Sequence, residues 1–151
     1  MATLTMNITP DGAEPQHKAK GAPDPNDPGH NLGNAAYLSQ SDALKLEITN
    51  FDAGSEIAEV HVYSDATETN EIGSWTRAGG ASPSLTNIFN VSTTGSANVT
   101  LSDAENPTAS IDRWYKVKVT SGAKYWWMDP EVINKAGGKN TGATWGPSTS
   151  S

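Results

Sequence analysis

The stretch RWYKVKVTSGAKYWWMD, Arg113 to Asp129, holds two alternating runs on either side of Ser121-Gly122. Period-two alternation flanking a Gly-containing turn specifies a β-hairpin and fits no helical face. With Ser121-Gly122 as a two-residue turn, Thr120 faces Ala123, Val119 faces Lys124, Val117 faces Trp126 and Tyr115 faces Met128, because directly opposed residues share a face. That side, with Tyr115, Val117, Val119, Trp126 and Met128, is expected to bury. The other side carries Trp114, Lys116, Lys118, Tyr125 and Trp127, with Lys116 opposite Trp127 and Lys118 opposite Tyr125. A lysine over an exposed ring contributes about 0.5–1 kcal/mol, too little to justify three aromatics in water. These five are therefore the candidate binding or interface residues. Their cover is expected to be the Pro-rich segment before Asn34, a neighbouring subunit or a ligand. A three-residue turn would exchange the two faces.

The rest of the chain repeats the alternation in short pieces. Leu4, Met6 and Ile8 share one face of a first strand over residues 2–9, which Pro10-Asp11-Gly12 ends. Residues 13–34 hold Pro15, Pro23, Pro25 and Pro28 with few apolar residues, and read as a long Pro-rich loop. The first strand is then tethered loosely, the arrangement that an exchanged strand uses. Further strands are expected at 43–49, with Leu44, Leu46 and Ile48 inward, and at 57–63, with Ala58, Val60 and Val62 inward. Weaker ones follow at 72–77, 87–92 and 97–101, and a last short one at 131–134. Residues 137–151, GGKNTGATWGPSTSS, read as a flexible tail with one aromatic, Trp145.

No helical periodicity is sustained and cysteine is absent. Eight or nine short strands with close turn signals predict an all-β chain, an antiparallel β-sandwich of immunoglobulin-like or jelly-roll type. It occupies residues 1–136 as a single domain, since 151 residues suit one core.

A net charge of −7 disfavours nucleic acid as a partner, because that binding rests on Lys and Arg neutralising phosphates. Charge is also segregated: residues 42–71 hold eight carboxylates and a single lysine, Lys45, with no arginine, whereas residues 113–139 hold six Lys and Arg residues against Asp129 and Glu131. Such a split can steer subunits head to tail. The N-terminus has neither the charged nor the apolar region of a signal peptide, and no apolar run reaches membrane-spanning length, so membrane insertion is not expected. The chain is expected in the cytoplasm as synthesised, or incorporated into a particle.

Catalytic motifs are missing. His17 and His30 fall in the Pro-rich loop, and His61 lies on an outward strand face two residues from Glu59, where it reads as solvated. Neither a G-x-S-x-G elbow nor a phosphate-binding glycine motif occurs. Asp24, Asn26 and Asp27 sit close together without the spacing of a calcium-binding loop and read as turn punctuation. The pairs Glu56/Glu59 and Glu68/Glu71 fit a solvated sheet edge that discourages aggregation. Asn7, Asn90 and Asn98 each begin an N-x-[ST] triplet in a Thr- and Asn-rich chain without a secretory signal. No metal or other cofactor is implied, and the chain is expected to be non-enzymatic.

The DPNDP segment, the stretch through Tyr37, LEITNFDAGSEI and the closing YWWMDPEVI, taken in that order, resemble bacterial inclusion-body proteins of the PixA/AidA type. Met128 between Trp127 and Asp129 is a one-residue departure from that family's Trp-Asp-Pro ending. The resemblance implies a self-associating β-sandwich without catalytic residues. From the loosely tethered first strand, the charge split and the aromatics of the hairpin, the expected function is that of a homo-oligomeric subunit in a particle, filament or inclusion. The alternative is a carbohydrate- or ligand-binding module that uses the hairpin aromatics as a platform.

Overall fold

The computed structural model of the chain describes residues 3–11, 18–23, 36–39, 43–65, 67, 69–103, 111–128 and 143–146. The strands run in chain order as β1 (Thr3–Asp11), β2 (Lys18–Pro23), β3 (Ala36–Ser39), β4 (Ala43–Ile48), β5 (Glu56–Tyr63), β6 (Glu71–Thr76) and β7 (Gly80–Ala81), then a single helical turn α1 (Pro83–Thr86). After it come β8 (Phe89–Ser92), β9 (Asn98–Asp103), β10 (Ile111–Ser121), β11 (Lys124–Met128) and β12 (Ala143–Gly146). They form an all-β sandwich of two sheets, β7-β6-β5-β10-β11 and β1-β4-β9-β8. β2 pairs with both β1 and β11 and so seals one side. On the opposite side α1 packs against β6 and β8, and the path of strands stays open at β7 and β8 rather than closing into a barrel.

The inward halves of the strands make one core. Met6, Ile8, Leu44, Leu46, Val99 and Leu101 come from the smaller sheet, and Ile57, Val60, Val62, Tyr115, Val117, Val119, Trp126 and Met128 from the larger. Phe51, in the turn between β4 and β5, meets Trp126 edge to face at 5.1 Å and ties that turn to β11. The Tyr115 hydroxyl is buried with no hydrogen-bond partner among the described residues, and burial pushes its ionisation far above the ordinary tyrosine range.

Several expectations are corrected. Strict alternation places Ala58 inward, but a β-bulge between β5 and β10 sets Lys118 against Glu59 and Val119 against Ile57. The extra residue switches the parity, so Ile57 is buried and Ala58 is not. Lys18–Pro23, inside the segment read as loop, is β2; its one proline stands last and β1 supplies the hydrogen bonds. Ala143–Gly146, inside the segment read as tail, pairs with Ile111–Arg113 and with β3. The expected strand at 131–134 lies outside the described residues. β1 runs antiparallel to β2 but parallel to β4, and β2 parallel to β11, so the sandwich is not purely antiparallel.

The helical turn departs from the all-strand expectation, although its signals are local. Ser82 caps it by accepting from the Leu85 N–H, and Pro83 follows at the first helical position. Leu85 is fully buried over Gly73, where a side-chain carbon would stand 2.7 Å from Leu85 Cα. Only glycine lets α1 approach β6 that closely.

Candidate functional site

The hairpin of β10 and β11 turns at Gly122-Ala123, one residue later than expected. Gly122 has φ 62 and Ala123 has no positive φ, the pattern of a type II′ turn with glycine first. Ser121 therefore stays in the strand and pairs with Lys124, Val119 pairs with Trp126, Lys118 with Trp127 and Val117 with Met128. Each partner has moved by two positions, which preserves the faces. Tyr115, Val117, Val119, Trp126 and Met128 are all buried, and Trp114, Lys116, Lys118, Tyr125 and Trp127 all point outward.

On that outer face aromatic and basic groups alternate. The Lys116 ammonium lies 4.9 Å from the Trp127 ring centroid, and the Lys118 ammonium 5.0 Å from Tyr125 and 5.7 Å from Trp127. The expected lysine–ring partners are thus kept, now across the diagonal of the ladder. Trp114 stands opposite Tyr63 at the far end. Trp114 and Trp127 are half-buried, while Tyr125 is 47% exposed.

β5 lines the other flank and brings in residues that strand-by-strand reading left in solvent. Lys116 faces His61 and Lys118 faces Glu59. His61 Nε2 lies 2.9 Å from Glu59 Oε1, and its Nδ1 lies 3.3 Å from Glu71 Oε1 on β6. Glu59 Oε2 is in turn 3.6 Å from the Lys118 ammonium. The His61 hydrogen bond is the main reason the Glu59 carboxyl titrates below its ordinary value; partial burial opposes it and the Lys118 charge adds to it. Glu71 is delivered by a connection that Asp65 ties down, its carboxylate accepting from the Asn70 N–H at 2.8 Å and the Thr67 hydroxyl at 2.6 Å. The spacing Glu59-x-His61 on an outward face was visible in the sequence. Glu71, ten residues away, joins only through the β5·β6 register.

The pairing of β5 with β10 also decides where the segregated charge goes. The acidic strand lies against the basic one, and Lys118 meets Glu59 within the sheet. At the foot of β5 the Arg77 guanidinium donates to the Ile57 carbonyl at 2.9 Å, with Glu56 at 3.8 Å and the Trp75 ring centroid at 5.2 Å. Part of the charge split that suggested head-to-tail steering is therefore balanced between neighbouring strands.

Among the described residues no three His, Cys, Asp or Glu side chains are arranged to hold a metal ion, and no helix is long and apolar enough to cross a membrane. Asn98, one of the three N-x-[ST] asparagines, is buried and its side chain is bonded to Thr94. His17, His30 and the DPNDP segment lie outside the described residues. No family model matches this chain, and no curated protein matches it.

Proposed function

We propose that this chain is a non-enzymatic β-sandwich subunit that acts by self-association in a larger assembly, with the outer face of β5, β10 and β11 as its contact surface. Tyr125 carries the reading: it is the one large apolar side chain that is exposed among the described residues, and it extends a face already holding Trp114 and Trp127. Aromatic residues concentrate at protein interfaces, where a ring adds apolar area at little conformational cost. The lysines favour a protein neighbour. A carboxylate from a second copy can pair with Lys116 or Lys118 while its apolar groups cover the ring edges, with no ammonium displaced.

A second reading, a carbohydrate- or ligand-binding module, is supported by the spacing of Tyr125 and Trp127. Two positions apart on one strand, the rings repeat at about 7 Å, which suits consecutive sugar units. Stacking there would first displace Lys116 or Lys118 from the ring faces.

Size-exclusion chromatography with light scattering, run over a concentration series, tests the first reading. The mass should rise with concentration, the Tyr125→Ala/Trp127→Ala double variant should weaken association about tenfold or more, and Lys45→Ala on the opposite sheet should change nothing. A constant monomer mass at every concentration and salt level overturns it, and a tryptophan-fluorescence response to oligosaccharides in that monomer would favour the second.

A further inference from the structure

The histidine at the centre of this face has a geometry that its structural role does not require. Both ring nitrogens of His61 face carboxylate oxygens, Glu59 through Nε2 at 2.9 Å and Glu71 through Nδ1 at 3.3 Å. A neutral imidazole has one N–H donor and one lone pair, so it can donate to only one of them; the imidazolium donates to both. In the neutral ring the nitrogen without hydrogen would face an ionised oxygen, and the longer, more exposed contact to Glu71 is the one that opens. Glu59 stays in place because it also holds Lys118.

We propose that His61 is a proton-operated latch on the contact face: charged, it joins β5 to β6 through Glu59 and Glu71 beside the Trp127 ring; neutral, it releases Glu71. The proposal rests on the self-association reading, because the part of the face that the latch steadies is the part that meets a neighbour. The groups around the imidazole account for the coupling. On β5 itself the charged neighbour is Glu59. From β6 come Glu71 and, directly across the strands, the uncharged Ser74. From β10 come Lys116, directly across, and Lys118, one step along the same face. From β11 comes the Trp127 ring, 6.0 Å from the imidazole between centroids. Two carboxylates and two ammonium groups cancel, so protonation leaves the cluster with one added positive charge. The path from the proton to the surface is then the imidazole itself, which lies against the Trp127 ring.

The experiment uses the full chain between about pH 5 and pH 8, the range in which histidines are generally poised to change charge. Nitrogen-15 spectra of histidine-labelled protein read the latch directly, with the His61 signals assigned by their loss in His61→Gln. Both ring nitrogens should carry hydrogen at the acid end and only Nε2 at the other. Trp127 emission should fall in step with protonation, and His61→Gln, which cannot charge, should abolish that change while keeping the fold. Light scattering on the same samples should show association tightened about fivefold or more at the acid end, again only with His61 present.

The two readings fail separately. A wild-type spectroscopic change that His61→Gln removes, in a protein of constant monomer mass, sinks self-association and leaves the latch standing. If wild type shows no change in ring protonation across the range, or if His61→Gln keeps the emission change, the latch is overturned whatever the oligomeric state.

Discussion

The two outer faces of the sandwich differ more than the two inner ones. Inside, both sheets present the same kind of aliphatic and aromatic residue to a shared core. Outside, the smaller sheet shows Thr5 and Asn7 beside Lys45 and Glu47, with Thr100 on the next strand and Asn90 and Ser92 at the edge. This is the plain polar half of an alternating sheet. The larger sheet instead carries Trp114, Trp127, Tyr125 and Tyr63 among lysines, His61 and two glutamates. The core constrains the inward halves of both sheets in the same way, so their resemblance says little about function. The outward halves have no such constraint, and the aromatics gathered on one of them are what the proposed contact face rests on.

Neighbouring tryptophans on opposite faces give the sharpest test of that contrast. Trp126→Ala removes a buried ring and its contact with Phe51 and should cost about 3–5 kcal/mol in denaturant unfolding. Trp127→Ala should cost only about 1 kcal/mol, mostly lost lysine–ring attraction, while lowering the association seen by light scattering. Equal stability losses for the two would break the division into a core face and a contact face.

A smaller loss is expected from Gly73→Ala, whose added carbon meets Leu85 at 2.7 Å. Overpacking of this kind costs about 1–3 kcal/mol, and thermal unfolding would record it. Since Gly73 is on the inner side of β6, association should survive. Loss of association without loss of stability would mean that α1, rather than the aromatic face, makes the contact.

The smallest effect concerns Glu59. Its carboxyl titrates below the ordinary value in the folded protein, so its contribution to stability is present above the unfolded-state value and is lost as the pH falls through the folded one. Urea unfolding near pH 6 and near pH 3 should therefore show a decline that Glu59→Gln makes shallower. An unchanged slope in that variant would remove Glu59 from the charge network of the contact face.

Much of this arrangement was legible strand by strand. The alternation of Tyr115, Val117 and Val119 with Trp114, Lys116 and Lys118 predicted which side of β10 is buried, and the partition of β11 followed. That partition survives a turn one residue later than the alternation implies, because each partner then moves by two positions and keeps its face. The lysine–ring contacts held for a related reason: long side chains reach diagonal as well as direct neighbours. The Ser82-Pro83 start of α1 was equally local and could have been read.

Alternation is a property of one segment, set by backbone geometry that puts successive side chains on opposite faces. Hence the all-β character, most of the inward residues and the aromatic side of the hairpin were determined by the sequence itself. Which segment lies beside which is a different matter, decided by the packing of the whole chain. Nothing local required β1 to run parallel to β4, β2 to form within a Pro-rich stretch, or a bulge to bury Ile57 in place of Ala58. The same applies to the site. Lys118 meets Glu59, and Glu71 meets His61, only because the larger sheet sets β10, β5 and β6 side by side in one register. That cross-strand register, summed over many contacts distant in sequence, turned an aromatic stripe into a face with a histidine at its centre.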